Sequence, residues 1–313
     1  MKTATMTRQN THIKQDITEL IGNTPMIRIK KILPEGAAEV YAKLEWYNIG
    51  SSVKDRMALR LIEKAEKDGR ITSGKVILEA TSGNTGIALA MIAAAKGYKI
   101  ELVMPESVSI ERRKIIRAYD AKLTLSPGAK GTGGAVELKY QMLKENPKKY
   151  VDIDQFRDPA NIEAHYDTTA KEILDQTGGD LDMVVVGIGT AGTSVGISKR
   201  MKEHNPKIKI IGVIPELGSA IQGLRNPCEN YPTQLYKSGY FDEIVEIKKE
   251  EIPKTIEITR ELAKKEGLLV GMSAGAAMYI AKRKAIELGP GKKIVTIFPD
   301  NGFKYLSTSL FEE

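Results

Sequence analysis

Short apolar runs alternate with helical patterns over most of this chain. In the first half, predicted strands and helices follow one another at 75–80, 84–96, 99–104, 110–119, 122–126 and 133–145. The runs at 75–80 (KVILEA) and 99–104 (KIELVM) lack the strict alternation of a half-exposed strand, and Gly97 ends the apolar helix between them. Strands of this kind, separated by helices, are typical of parallel sheets covered on both faces.

The same alternation returns after residue 180. Strands and helices are predicted at 182–187, 192–203, 208–214, 250–266, 275–288 and 293–298. Two such series, joined near 150–160, predict an α/β protein with two doubly wound halves. In this architecture we expect the ligand in the cleft between the halves, at the carboxyl ends of the strands.

Composition narrows the possible classes of protein. The 313 residues suit two α/β domains or one large domain, and no apolar run approaches the roughly 20 residues that cross a bilayer. The polar start of the chain lacks a signal-peptide core. The single cysteine, Cys228, excludes an internal disulfide and a multi-cysteine metal site. We therefore expect a cytoplasmic protein without a membrane segment.

Neither charge nor histidine content indicates nucleic acid or metal binding. The net charge is +7, but the lysines are spread among glutamates, as on solvated helix faces. His12, His165 and His204 are far apart in sequence, and we expect no metal site.

Three loops join a predicted strand or turn to a helix and could bind anions. The first, 81–86 (TSGNTG), offers hydroxyls, an amide and close backbone approach at a helix start, although an ordinary N-cap has the same residue types. The second, 187–193 (GIGTAGT), fits a phosphate cradle. It also spells G-x-G-x-x-G, and Glu216 follows where a ribose-binding carboxylate would fall, so a nicotinamide-dependent oxidoreductase remains open. The third, 271–275 (GMSAG), decides nothing by itself.

Lys54 is the candidate reactive residue. It follows a Gly/Ser turn and precedes a helical apolar face. It is either a solvated charge or a Schiff-base lysine, and the second role needs an environment that lowers its usual pKa of about 10.4.

In this order, these segments resemble the β-family (fold type II) of pyridoxal-phosphate (PLP) enzymes, and within it the cysteine synthases. The resemblance runs from about residue 17 to 308. The segments that carry it are 21–25 (IGNTP), 48–56 (NIGSSVKDR), 81–86, 104–121, 155–166 (QFRDPANIEAHY), 189–193, 271–275 and 299–308 (PDNGFKYLST).

The resemblance implies a tryptophan synthase β-like fold, with PLP between two doubly wound domains. The smaller, mobile domain, at 50–158, would carry the carboxylate-binding loop. The larger domain, at 1–49 and 159–313, would bind the PLP phosphate. A homodimer is expected on the same ground.

The resemblance also implies roles for individual residues. Lys54 would hold PLP as a Schiff base and later act as the base, Asn84 would contact the ring oxygen, and Ser273 would face the pyridine nitrogen. The phosphate would be held by Gly189, Thr190, Ala191, Gly192 and Thr193. The substrate carboxylate would be held by Thr81, Ser82, Thr85 and Gln155. The phosphate site accounts for the glycines at 187–192 without NAD.

The implied reaction is β-replacement at an O-activated L-serine. The expected activity is L-cysteine synthesis from O-acetylserine or O-phosphoserine and sulfide, and the expected small-molecule partners are an amino-acid substrate and sulfide or a thiol. Related reactions stay open: release of hydrogen sulfide from cysteine, or formation of lanthionine, cystathionine or diaminopropionate. A protein that keeps the fold only to bind a partner is a further alternative, against which the intact Lys54, Asn84 and Ser273 argue.

Five positions bear on the substrate. Ser51, Ala191 and Asp120 stand where the family pattern has glycine, and Ile49 stands where it has proline. Arg225 lies where B-type cysteine synthases have an arginine. It could bind the phosphate of O-phosphoserine, or it could be an ordinary surface arginine.

Overall fold

The computed structural model describes residues 13–312, and its strands form two sheets. The larger sheet contains β1 (Met26–Ile29), β2 (Glu39–Leu44), β7 (Met183–Gly187), β8 (Lys209–Pro215), β9 (Glu243–Ile247) and β10 (Lys293–Phe298), in the order β1-β2-β10-β7-β8-β9. The smaller sheet contains β3 (Val76–Ala80), β4 (Lys99–Pro105), β5 (Lys122–Ser126) and β6 (Tyr150–Asp152), in the order β5-β4-β3-β6. Every pairing is parallel except that of β1 with β2.

Helices connect the strands and cover the sheets. They are α1 (Lys54–Lys67), α2 (Asn84–Lys96), α3 (Ile110–Ala118), α4 (Gly131–Glu145), α5 (Ala160–Ala164), α6 (Ala170–Thr177), α7 (Gly192–His204), α8 (Ile252–Glu261) and α9 (Met272–Leu288). A π-helical turn at His165–Thr169 joins α5 to α6, and a second at Leu262–Glu266 extends α8. None of the helices within residues 13–312 combines the length and apolarity needed to span a bilayer.

Each sheet has its own apolar core. Val40, Val213 and Phe298 contribute to the core of the larger sheet. Ile77 and Leu102 do so in the smaller one, where they pack with α1 and the almost entirely apolar α2. Ala160 and Ala164 of α5 belong to this second core as well. The predicted two-part α/β architecture is confirmed, whereas the limits at 50–158 and the mobility of that part stay predictions.

The pattern of apolar positions did not predict the less regular strands or the irregular ends of the helix at 250–266. β1 and β9 lie at the edges of the larger sheet, where exposed charged positions interrupt the apolar run. β2 contains Lys43, whose ammonium is buried against Glu172 at 2.7 Å, so a charge occupies a core position. β6 has only three residues. The predicted helix at 250–266 begins with a 3₁₀ turn and ends in the π-helical turn.

The three residues that replace family glycines all have a left-handed backbone. The φ angles are +62° at Ser51, +58° at Asp120 and +71° at Ala191. This region suits glycine because it has no Cβ. The backbone at these three positions is therefore of the type that favours glycine. In this chain each position holds a residue with a Cβ, which strains the backbone.

Candidate active site

Two adjoining cavities lie at the carboxyl ends of the strands, where β3 enters α2 and β7 enters α7. Their volumes are about 530 Å³ and about 50 Å³. Lys54, Asn84, Gly189 and Thr190 line both, so a ligand at their junction would contact all four. This is the position predicted for a ligand in open α/β sheets.

The smaller cavity lies at the N-terminus of α7. The first hydrogen bond that leads into the helix runs from the Val195 N–H to the Ala191 carbonyl, at 2.9 Å. The preceding N–H groups, including those of Gly192 and Thr193, have no acceptor within the helix and favour an anion. Thr193 lines this cavity, and Thr190 lines both cavities. The donor set fits a phosphate.

Close packing requires glycine at two positions of this loop. A Cβ added at Gly189 would lie 2.6 Å from the Gly223 carbonyl oxygen, and one added at Gly192 would lie 1.8 Å from Asn161 Oδ1. The Asn161 Nδ2 donates a 3.0 Å hydrogen bond to Thr190 Oγ1. The loop therefore keeps one conformation beside the cavity.

His165 supports the same loop from behind. Its Nε2 lies 3.1 Å from Thr193 Oγ1, and its Nδ1 lies 2.9 Å from Thr169 Oγ1. Burial, with additional repulsion from Lys54 and Arg56, lowers the pKa of His165 well below its usual value. The imidazole is therefore neutral, and it orients the Thr193 hydroxyl without adding charge. Sequence reasoning did not assign this role, although His165 lies in the 155–166 motif.

Lys54 is the first residue of α1, at the junction of the two cavities. Burial lowers the pKa of its amine to about 8, and the negative charge of Asp300 opposes that shift. The preceding turn is held by the Gly50 N–H, which donates to Asp55 Oδ2 at 2.6 Å. Burial also raises the pKa of Asp55 to about 7. A substantial fraction of neutral amine near pH 8 makes Lys54 a usable nucleophile and base.

Behind Lys54, α1 is fixed to the rest of the chain by a buried ion-pair network. The Arg56 guanidinium donates to Glu45 at 2.7 Å and to Glu172 at 2.6 Å. The Thr24 hydroxyl donates to Glu45 at 2.7 Å. Arg56 is almost fully buried, so its charge depends on these partners.

The loop at the start of α2 faces the larger cavity. Thr81, Ser82 and Thr85 line it together with Gln155. Thr85 Oγ1 donates to Gln155 Oε1 at 2.7 Å, and Gln155 Nε2 donates to the Ala80 carbonyl at 3.0 Å. Hydroxyls and helix N–H groups at this end suit a carboxylate.

Ser273 contributes to the wall of the smaller cavity. It is near the start of α9, is only 4% exposed and lines the smaller cavity. A Cβ at Gly223 would lie 3.1 Å from Ser273 Oγ, and Gly223 has a φ of +97°. The cavity therefore ends in a neutral hydroxyl rather than a carboxylate.

Arg225 lies at the wall of the larger cavity. Its Nε donates to Glu229 Oε2 at 3.1 Å, and its Nη2 donates to the carbonyls of Asn230 and Tyr231. The guanidinium carbon lies over the Phe156 ring, 5.1 Å from the ring centroid. Arg225 is thus held in place at the cavity, and its contact with a substrate phosphate stays a prediction.

Nearly all of the predicted site residues converge on the two cavities. The larger is lined by Lys54, Thr81, Ser82, Asn84, Thr85, Gln155, Gly189, Thr190 and Arg225. The smaller is lined by Lys54, Asn84, Gly189, Thr190, Ala191, Thr193 and Ser273. Gly192 lines neither and packs against Asn161 instead. Asp300 and Lys304, which contact Asn84, were not predicted.

An α/β fold with a desolvated lysine beside an anion cradle defines an enzyme suited to a phosphorylated aldehyde cofactor. The family model for "Pyridoxal-phosphate dependent enzyme" matches residues 17–300. The cofactor is therefore pyridoxal 5'-phosphate, as the sequence motifs implied.

Known proteins narrow the family further. A cysteine synthase of Aquifex aeolicus is 45% identical over 307 residues, which cover 96% of this chain and 93% of the relative. The crystal structure of a cysteine synthase from Entamoeba histolytica is 38% identical, with a TM-score of 0.89 and coverage of 100% of this chain and 95% of that one. A hydrogen sulfide-producing enzyme from Fusobacterium nucleatum is 40% identical, with a TM-score of 0.87 and coverage of 94% and 100%. This chain belongs to the cysteine synthase family of PLP-dependent enzymes.

Proposed function

We propose that this enzyme makes L-cysteine by replacing the β-substituent of an O-activated L-serine with sulfide. The observation that carries the proposal is the position of Lys54. Lys54 lines both the cavity at the N-terminus of α7 and the larger, hydroxyl-lined cavity. When bound, PLP supplies an electron sink for cleavage at the α-carbon.

The chain's own groups then have separate tasks. Thr81, Ser82, Thr85 and Gln155 hold the substrate carboxylate. Lys54, neutral in part because burial lowers its pKa to about 8, takes the α-proton and later returns it. Thr190, Thr193 and the α7 N-terminus hold the cofactor phosphate, and Ser273 faces the ring nitrogen.

The test of this function is a substrate panel with the purified holoenzyme. O-acetylserine, O-phosphoserine and serine are each supplied with sulfide, and cysteine formation is measured. We expect turnover with at least one of the O-activated serines and little with serine, whose hydroxide is a poor leaving group. Absence of cysteine from both activated substrates would reject the proposal.

Arg225 is the residue proposed to favour O-phosphoserine. A planar guanidinium suits a phosphate, and this one is already held at the cavity wall. Arg225→Ala should lower kcat/KM for O-phosphoserine about tenfold or more while changing the value for O-acetylserine much less. The exposed Arg117→Ala is the matched control. Equal losses on both substrates would leave Arg225 a structural residue only.

Hydrogen sulfide release from cysteine is the second candidate. It needs the same α-proton transfer by Lys54, and the similar Fusobacterium enzyme is a hydrogen sulfide producer. Sulfide detection with cysteine as the sole substrate distinguishes the two directions.

We propose a cytoplasmic homodimer with a mobile smaller domain at 50–158 on the basis of the family resemblance. Sedimentation equilibrium tests the dimer, and fractionation of the source cells tests the location.

A further inference from the structure

The side-chain carboxamide of Asn84 is held at both ends. Its Nδ2 donates a 2.8 Å hydrogen bond to Asp300 Oδ2, and its Oδ1 accepts a 2.9 Å hydrogen bond from Lys304 Nζ. Asp300 is fully buried and Lys304 is 5% exposed. Asn84 itself lines both cavities, so the pair acts on a residue at the junction.

The chemistry of the two partners determines which way the amide points. An ionised carboxylate only accepts hydrogen bonds, and an ammonium group only donates them. The reversed amide would place its carbonyl against Asp300 and its NH₂ against Lys304, and both charge-assisted hydrogen bonds would be lost. One Nδ2 hydrogen is used by Asp300, so the second remains as a donor for a ligand.

Asp300 and Lys304 together form a clamp on Asn84, and further backbone and side-chain interactions hold the clamp in place. Lys304 Nζ also donates to the Ser51 carbonyl at 2.9 Å, in the turn that precedes the reactive lysine. The Tyr305 hydroxyl donates to Asp300 Oδ2 at 2.9 Å, and Asp300 pairs with Ser52 in an isolated β-bridge. The clamp therefore joins the start of α2 and the loop before α1 to the segment after β10.

We propose that Lys304 and Asp300 are positioning residues that hold Asn84 as an N–H donor toward the ring oxygen of the cofactor. This inference rests on the proposed function and on the contact with that oxygen that the sequence resemblance implies for Asn84. An amide free to rotate could turn its carbonyl toward the oxygen, and the two lone pairs would repel. The clamp removes that orientation before the cofactor arrives.

The test compares Lys304→Met, Lys304→Arg, Asn84→Ala and the double variant Asn84→Ala/Lys304→Met. The readouts are the PLP dissociation constant of the resolved protein and the visible absorption maximum of the reconstituted holoenzyme. Lys304→Met removes the charge-assisted hydrogen bond from Lys304 Nζ to Asn84 Oδ1. It should therefore weaken PLP binding about tenfold and shift the visible absorption maximum. Lys304→Arg, which keeps a charged donor, should retain most of the PLP affinity and an absorption maximum close to that of the wild type. The exposed Lys264→Met is the control.

The double variant distinguishes an effect of Lys304 that acts through Asn84 from a direct effect of its positive charge on the cofactor. If Lys304 acts through Asn84, Lys304→Met should change PLP affinity less than about twofold in the Asn84→Ala background. A full effect in that background would overturn the inference, as would an unaltered Lys304→Met holoenzyme. Should Lys304→Met fail to fold by circular dichroism, Lys304→Gln takes its place in the same cycle, with a smaller expected loss of PLP affinity of about threefold, because its hydrogen bond to Asn84 would be neutral rather than charge-assisted.

The cycle also distinguishes this inference from the proposed role of Asn84. If Asn84→Ala alone leaves affinity and spectrum unchanged, the contact between Asn84 and the cofactor is wrong, and the inference falls with it. If Asn84→Ala has an effect and the Lys304 variants have none, only the clamp is wrong.

Discussion

Replacing Lys54 by methionine should stabilise the cofactor-free protein at neutral pH. Burial lowers the pKa of Lys54 from 10.5 to about 8, so the folded state holds this proton less tightly than the unfolded chain does. A shift of this size corresponds to about 3 kcal/mol at pH values below 8, and structural relaxation reduces the measured effect to about 1–3 kcal/mol. Methionine keeps the apolar stem and removes the charge.

The sign of the pH dependence follows from the same shift. Below pH 8 both states are protonated, and the full penalty is present. Between pH 8 and 10.5 the unfolded chain binds more protons than the folded one, so wild-type stability rises relative to that of the variant. The advantage of Lys54→Met should therefore shrink by up to about 2 kcal/mol from pH 7 to pH 9.5.

Urea unfolding of both proteins, freed of cofactor, at the two pH values measures this difference. Lys67→Met, on an exposed part of the same helix, should change stability by less than about 0.5 kcal/mol and without this pH dependence. A variant less stable than wild type at pH 7, or an advantage that does not shrink with pH, would refute the reasoning.

Three other substitutions have expected outcomes. Ala191→Gly should stabilise the protein by about 0.5–1 kcal/mol in urea unfolding, because glycine adopts the φ of +71° at this position without strain. The reverse change at Gly97, where φ is +73°, should destabilise the protein by about 1 kcal/mol. The same sign for both substitutions would contradict the strain argument. Gly189→Ala should weaken PLP binding on titration of the cofactor-free protein, since its Cβ would meet the Gly223 carbonyl at 2.6 Å, and unchanged affinity would show that the loop can yield. Arg56→Met should lower the unfolding free energy by about 3–5 kcal/mol because the buried Glu45 loses its ion-pair partner and Glu172 keeps only Lys43, and a loss below 1 kcal/mol would contradict that account.

The sequence predicted the regular part of the fold because apolar periodicity is a local property. The strand at 75–80 and the helix at 84–96 appear within one residue of their expected ends. The strand containing Lys43 was missed because its buried charge is neutralised by Glu172, 129 residues away. No local pattern reveals such a partner.

The site shows the same division. Lys54 and the glycine-containing loops could be recognised because each is a contiguous motif. The clamp on Asn84 could not, since Asp300 and Lys304 are 216 and 220 residues away and are brought to it only by the packing of the C-terminal segment. Likewise, the pKa of Lys54 depends on burial, which the sequence does not display.

Reduction of the holoenzyme with borohydride tests the central claim most directly. The reagent fixes a Schiff base as a stable amine, and peptide mapping by mass spectrometry then locates the pyridoxyl group. The account predicts that the group is found on the peptide containing Lys54 and that Lys54→Ala carries none. A pyridoxyl group on another lysine of the wild-type enzyme, or no labelled peptide at all, would contradict it.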